Sequence, residues 1–268
     1  MVWIDSHCHF DFAVFAGQRE RLWQQAQQLG VAGLIIPGVS RLQGEQLPAF
    51  CAGQPWRYAQ GLHPYFLHQH QPADLHWLEQ QLREDPAVLA VGEIGLDSVL
   101  VAGDTSRLQQ QWDFFSAQVQ LAQRYGKRLI LHIRGQHDQA CAFLRRQHFT
   151  AGGIVHAFSG SEQQGRAWLA LGFKLGIGGA MTHPRAHKLR RTIAALPADA
   201  WLLETDSPDM RPAFWAGPVN SPAAIPLLGA CLAALQQSDL GHVRQQQMAT
   251  IHNLWPEMSA AIQASHPD

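Results

Sequence analysis

The chain has 268 residues, 46% of them hydrophobic and 15% charged, and a formal net charge of −1. That balance excludes the broad basic footprint of a nucleic-acid-coating domain, and no apolar run reaches the roughly 20 residues of a membrane span. Cys8, Cys51, Cys141 and Cys231 are scattered without a C-x-x-C, which argues against a disulfide framework and a zinc ribbon alike.

In chain order, Val2-Trp3-Ile4 opens a strand that continues into Asp5-Ser6-His7-Cys8-His9. No basic region leads into an apolar stretch ahead of it, so no signal peptide is expected and the protein should stay in the cytoplasm. A strand sends alternate side chains to opposite faces, so His7 and His9 project together. Two imidazoles on one rigid element are a ligand pair for a first-row cation. Gln18 to Leu29 places Leu22, Ala26 and Leu29 on one helical face, with Gly30 where a helix C′ glycine belongs. Gly33-Leu-Ile-Ile-Pro37 reads as a short buried strand. Trp56 to Leu62 is a third strand, ending in Gly61-Leu62-His63-Pro64. A helix opens at Pro72 with Leu75, Leu78 and Leu82 in register. Ala87 to Val91 resumes a strand ending in Gly92-Glu93-Ile94-Gly95-Leu96-Asp97, before a polar loop.

From Ser106 onward Leu108, Trp112, Phe115, Val119 and Ala122 step by four and three, the clearest amphipathic helix in the chain. It leads into the strand Arg128-Leu-Ile-Leu-His132-Ile-Arg134, a helix from His137 to Arg146, and Gly153-Ile-Val-His156-Ala-Phe-Ser-Gly160. Ser161-Glu-Gln-Gln164 has the form of a capping box. Phe173 to Gly179 is a glycine-rich strand, Pro184 to Leu196 a helix, and Trp201-Leu-Leu-Glu204-Thr-Asp206-Ser-Pro208 the eighth strand, after which two helical stretches close the chain. No composition break marks a linker, so residues 1–268 read as one domain.

Eight strands alternating with helices predict a parallel sheet, and that number closes into a (β/α)8 TIM barrel of the α/β class. An open doubly wound sheet is the alternative. The barrel is preferred because polar motifs end strands one, three, four, five, six and eight, and only a barrel gathers those ends at one mouth. His132 and His156 end apolar runs in equivalent positions and read as ligands. Glu93 sits between glycines at a strand end, where a buried carboxylate is costly unless paired or metal-bound. A carboxylate can also bridge two cations. Asp206 is placed to hold a metal and to accept a proton from an attacking water. Glu204 reads equally as a supporting partner or a structural carboxylate. His68 and His70 fall in a polar run and are assigned to solvated loop, and His137, His183 and His187 to structural roles. Arg134 is a candidate phosphate contact, since guanidinium binds phosphate bidentately, and Asn220 is a candidate helper in the loop after strand eight.

Together these six ordered motifs resemble the TatD family of metal-dependent deoxyribonucleases, over nearly the whole chain. Gly178-Gly179 followed by Thr182-His-Pro-Arg185 is similar to its YjjV-type branch. The resemblance implies a metallo-dependent hydrolase barrel with two divalent ions (Zn, Mg or Mn). His7, His9 and Asp206 would hold one, His132 and His156 the other, and Glu93 would bridge them. His63 matches a family position near the substrate phosphate. The implied activity is hydrolysis of DNA phosphodiester bonds, as a 3′-5′ exonuclease preferring single-stranded ends, in a monomer. A small-molecule amidohydrolase or lactonase on the same barrel is the alternative. Ser98 stands where an aromatic is common and Ile133 where the family has serine or similar, and both departures bear on substrate fit.

Overall fold

A computed structural model describes residues 2–265. Its strands are β1 (Trp3–Asp5), β2 (Val31–Ile36), β3 (Trp56–Gln60), β4 (Val88–Asp97), β5 (Arg128–Arg134), β6 (Gly153–His156), β7 (Phe173–Ile177) and β8 (Trp201–Leu203), each parallel to the next in chain order. Helices follow as α1 (Arg19–Gln28), α2 (Arg41–Gly44), α3 (Leu47–Cys51), α4 (Pro72–Glu84), α5 (Thr105–Arg124), α6 (His137–Arg146), α7 (Glu162–Leu169), α8 (His187–Ala195), α9 (Ile225–Leu235), α10 (Leu240–Leu254) and α11 (Pro256–Ser265). The backbone closes the circle just past the strand ends. Ser6 N–H donates to Leu203 O (3.1 Å), Asp206 N–H to His7 O (2.9 Å) and His9 N–H to Ser207 O (2.9 Å). The architecture is the eight-stranded β/α barrel expected from the alternation, not an open sheet.

Strand alternation divides the core in two. Ile4, Ile35, Ala59, Ile130, Ile154 and Leu202 form one cluster with Ile251, Leu254 and Met258 of the last two helices and Trp255 between them, which plug one end of the barrel. Their strand neighbours Trp3, Leu34, Leu129, Val155 and Leu203 pack outward with Trp23, Phe115 and Val119 beneath the helices. The pattern of α5 holds: Phe115, Val119 and Ala122 are fully buried. The capping box forms, with Ser161 Oγ accepting from Gln164 N–H and Gln164 Oε1 from Ser161 N–H. All four cysteines are free thiols. Among the described residues no single helix is long and apolar enough to cross a membrane.

Several boundaries differ from expectation. Regular pairing of β1 stops at Asp5 and of β8 at Leu203, so His7, His9, Glu204 and Asp206 lie beyond their strands. Residues 6–9 still thread between neighbours as a strand would, because Cys8 N–H donates to Ile35 O on one side while Leu203 and Ser207 hold the other. The helix predicted from Pro184 begins at His187, preceded by a turn of 3-10 helix at Gly179–Thr182.

Candidate metal centre

Side chains from the ends of β3, β5, β6 and β8, and from the segment following β1, meet around Glu93. Its register shift against β5, between Val91 and Ile94, breaks the alternation there. Glu93 N–H donates to Gly38 O at the end of β2, and Gly38 N–H to Gly92 O, which pins the irregular peptide. Gly61 makes the approach possible, since a Cβ there would sit 2.7–2.9 Å from the backbone of Gly92 and Glu93.

The carboxylate, 2% exposed, faces five imidazoles. Oε2 lies 3.1 Å from His7 Nε2 and 3.5 Å from His9 Nε2. Oε1 lies 3.1 Å from His63 Nε2, 3.3 Å from His132 Nδ1 and 3.4 Å from His156 Nε2. Asp206 Oδ1 approaches His7 and His9 Nε2 at 3.6 and 3.5 Å. The left-handed backbone of Asp206 (φ 52) turns its carboxyl back toward the mouth. Three groups bring one ligand atom apiece within 4.8 Å of one another: His7, His9 and Glu93; His7, His156 and Asp206; His63, Glu93 and His132. His156 therefore reaches toward both halves, less cleanly divided than the family pattern implies.

Outer partners set which nitrogen of each ring faces inward. His132 Nε2 is 3.1 Å from Asp97 Oδ2, so its proton belongs there and the Nδ1 lone pair faces Glu93. His156 Nδ1 is 3.3 Å from Glu204 Oε1, which also accepts from Ala157 N–H, leaving Nε2 for the centre. Gly176 leaves the room for Glu204, whose Oε2 would lie 2.1 Å from an added Cβ. His63 is oriented the other way. Its Nδ1 accepts from Tyr65 N–H (3.0 Å), so the neutral ring carries its proton on Nε2 and presents a donor, not a lone pair, to Glu93.

Charge supports cation binding. Burial opposes ionisation of Glu93, but the imidazoles of His63, His156 and His7 hold it well below the usual carboxylate range. Burial likewise opposes a charge on His156, yet Glu93, Asp206 and Glu204 push it up to about 10. That field attracts positive charge to the centre. Burial pushes His7 down and takes His63 to about 4, and burial lifts Asp206 to about 6. Both ring nitrogens of His7, and Nδ1 of His9, are buried without a hydrogen-bond partner. Orphaned imidazole atoms beside buried carboxylates are a donor set that fits a divalent metal.

Of the residues singled out in the sequence, His7, His9, His63, Glu93, His132, His156 and Asp206 converge. Arg134 does not: its side chain is 60% exposed at the rim, 4.0 Å from Asp97 Oδ2. Asn220 is fully buried, and its amide donates to Thr205 O and Asp209 O, so it ties the loop after β8 together instead of facing a substrate. His70 is not a solvated residue; half-buried, its Nε2 lies 2.9 Å from His63 O, while His68 is exposed. His137 accepts from Trp168 Nε1, and His183 and His187 are exposed. Ile133 is buried in the outer core, away from the mouth, and Ser98 bonds Arg134 O. Asp97 ends one of the sequence motifs but takes no role there, and two glutamines of α5 have no signal of their own. Gln118 pairs with both backbone groups of Leu62, and Gln111 with both of Asp97, fixing the residues that carry His63 and support His132.

The site opens into a cavity of about 360 Å³ lined by His9, His63, Glu93, His132, His156 and Asp206 with Phe12, Val39, Tyr65, Phe66 and Asp209. Residues 4–256 match the family model described as TatD related DNase. A metal-dependent hydrolase of Escherichia coli K12, YjjV, is 40% identical over 254 residues, covering 94% of this chain and 97% of its own. The 3′-5′ ssDNA/RNA exonuclease TatD of Erwinia billingiae is 35% identical, over 74% of this chain and 78% of its own. The crystal structure of the E. coli YjjV protein superposes with a TM-score of 0.89 at 38% identity, over 95% of this chain and 98% of that one. An amidohydrolase of Saccharomyces cerevisiae shares the fold, with a TM-score of 0.80 at 16% identity, over 95% of this chain and all of that one.

Proposed function

Since the chain belongs to the family of TatD-related DNases and is a metal-dependent hydrolase, we propose that it hydrolyses DNA phosphodiester bonds at single-stranded 3′ ends, as a monomer in which residues 1–268 form one domain. The observation that carries this reading is the division of the Glu93 carboxylate, one oxygen toward His7 and His9 and the other toward His132 and His156. Such an arrangement suits two divalent ions, with His7, His9 and Asp206 on one side, His132 and His156 on the other, and Glu93 between them. Zn, Mn and Mg are the candidates, and imidazole-rich ligation favours the first. Every group comes from one chain, so no second copy is required.

When bound, divalent ions would acidify a water molecule and offset charge on the phosphoryl oxygens. Asp206 accepts the proton of the attacking water, from its place beside His7 and His9. The Nε2–H of His63 donates to a phosphate oxygen, a role its neutral ring and its Nδ1 bond to Tyr65 prepare. Asp97 holds the ring of His132 in the tautomer that ligation needs, and Glu204 places a negative charge beside Nδ1 of His156. Arg134, at the rim, meets a phosphate farther along the strand.

The test sets the chelator-stripped protein, reloaded with Zn²⁺, Mn²⁺ or Mg²⁺, against single-stranded and duplex DNA, a simple phosphodiester and a panel of lactones. Metal-dependent release of nucleotides from single strands is expected. Lactone opening without phosphodiester cleavage would instead assign the protein to the amidohydrolase-like chemistry of the same barrel.

A further inference from the structure

Beside the catalytic cavity lies a second, larger one of about 800 Å³, between the segment after β1, the loop carrying α2 and the loop after β8. The two share Phe12, Val39, Phe66 and Asp209 as walls, so the groove opens directly off the reaction site. Its volume falls in the range of small-molecule sites, roughly 300–1,000 Å³.

The walls do not suit a phosphate chain. The charged groups that line the groove are Asp11, Asp209 and Arg211, two carboxylates against one guanidinium, and Arg211 Nη1 already donates to Gly217 O. A second or third phosphate lying there would meet net negative charge. The remaining surface is largely apolar, with Val14 and Leu42 exposed at its lip. At the junction with the catalytic cavity stand two phenyl rings whose positions are fixed by candidate site residues. Phe12 stacks on His9, with ring centroids 4.7 Å apart and planes 25° from parallel. Phe66 meets His63 edge-on at 6.2 Å and Tyr65 at 5.1 Å. A flat, uncharged group with π faces satisfies those walls, and in a nucleic acid the neutral aromatic part beside each phosphate is the base.

Resting on the functional reading above, we propose that this groove receives the nucleobase flanking the scissile phosphate, gripped by Phe12 and Phe66, so that the enzyme recognises a base rather than a run of backbone phosphates. Base–aromatic contact tolerates any base and is worth about tenfold in binding. On this side of the scissile phosphate the strand is then held by one base in the groove, not by a further phosphate.

The experiment compares a thymidine dinucleotide with the same phosphodiester bearing an abasic sugar on one side or the other, using metal-loaded wild type, Phe12→Leu and Phe66→Leu. Wild type is expected to favour the dinucleotide over one of the abasic substrates by about tenfold in kcat/KM, mostly through KM. In the leucine variants, with wild-type metal content and circular dichroism, that preference collapses toward one, whatever change the substrates share. Independently of the variants, thymidine monophosphate should inhibit wild type more tightly than deoxyribose phosphate by a similar factor. Equal treatment of all substrates by wild type, or a preference undiminished in both variants, overturns the base groove while leaving phosphodiester hydrolysis intact. Failure of wild type to cleave any of these substrates removes the functional reading itself, and this inference with it.

Discussion

Replacement of Glu93 by alanine is the sharpest test of the proposed centre. The carboxylate lies within 3.1–3.5 Å of five imidazoles and meets the two halves with separate oxygens. Without it the half built on His7 and His9 keeps three candidate ligands, counting Asp206, whereas the other keeps only His132 and His156. The second half should therefore empty first, and the variant should hold less than one tightly bound ion per chain after dialysis. Loss of a stabiliser of developing charge costs on the order of 10²–10³ in kcat, and simultaneous weakening of both halves makes that a lower bound. Glu93→Gln, which keeps the volume, should behave likewise, because charge rather than shape is removed. The barrel itself should persist, since the interior cluster around Ile4, Ile130 and Leu202 is untouched. Metal content by plasma emission, kcat on a phosphodiester and circular dichroism measure the three parts. Two tight ions in either variant, or turnover near wild type, would refute the bridging role and the two-ion mechanism with it.

His63→Ala should depress turnover while leaving metal content unchanged, because its inward nitrogen carries a proton; loss of an ion would make it a ligand. Asp97→Asn should weaken metal at the His132 side by roughly 10–100-fold, read by chelator competition, and unchanged affinity would show that Asp97 does not hold the His132 ring. His137, buried against Trp168, is taken down to about 4 by burial, while its unfolded value is near 6.5. As pH falls from 6.5 to 4 the unfolded chain binds a proton that the fold refuses. Stability should drop over that window by roughly 3 kcal/mol and fall little further on this account below it. Urea titrations of His137→Gln, which keeps an acceptor for Trp168 but cannot titrate, should lack that part of the slope, and an identical slope would exclude His137 as its source.

The barrel was legible because each apolar run is short and carries its own punctuation, and six of the eight end in a polar residue that burial would otherwise forbid. His7, His9, Glu93, His132, His156 and Asp206 share that signature, a metal-ligand type directly behind a hydrophobic strand. Asn220 was misplaced for a physical reason. A loop side chain goes where tertiary hydrogen bonds send it, and Asn220 finds Thr205 O and Asp209 O before it finds a cavity. Gln111 and Gln118 could not be distinguished from the other polar residues of α5, since what marks them is the backbone of Asp97 and Leu62 opposite. Phe12 and Phe66 belong to no periodic pattern, and only the folded loops make them neighbours of the site.

The hydrogen bonds that join residues 6–9 to the end of β8 also govern when the protein becomes an enzyme. Ser6 and Leu203 are 197 positions apart, and Asp5 and Thr205, which pair through two hydrogen bonds, are 200 apart. During synthesis at about 5–20 residues per second, His7 and His9 precede Asp206 by roughly 10–40 s. Throughout that interval the two imidazoles lack the β8 side of their setting and the Asp206 carboxylate, so the half built on them stays incomplete. Closing so long a loop also places this step late among folding events. Hydrolytic competence is thus deferred until the last strand docks, and a nascent or truncated chain ending before it is catalytically silent.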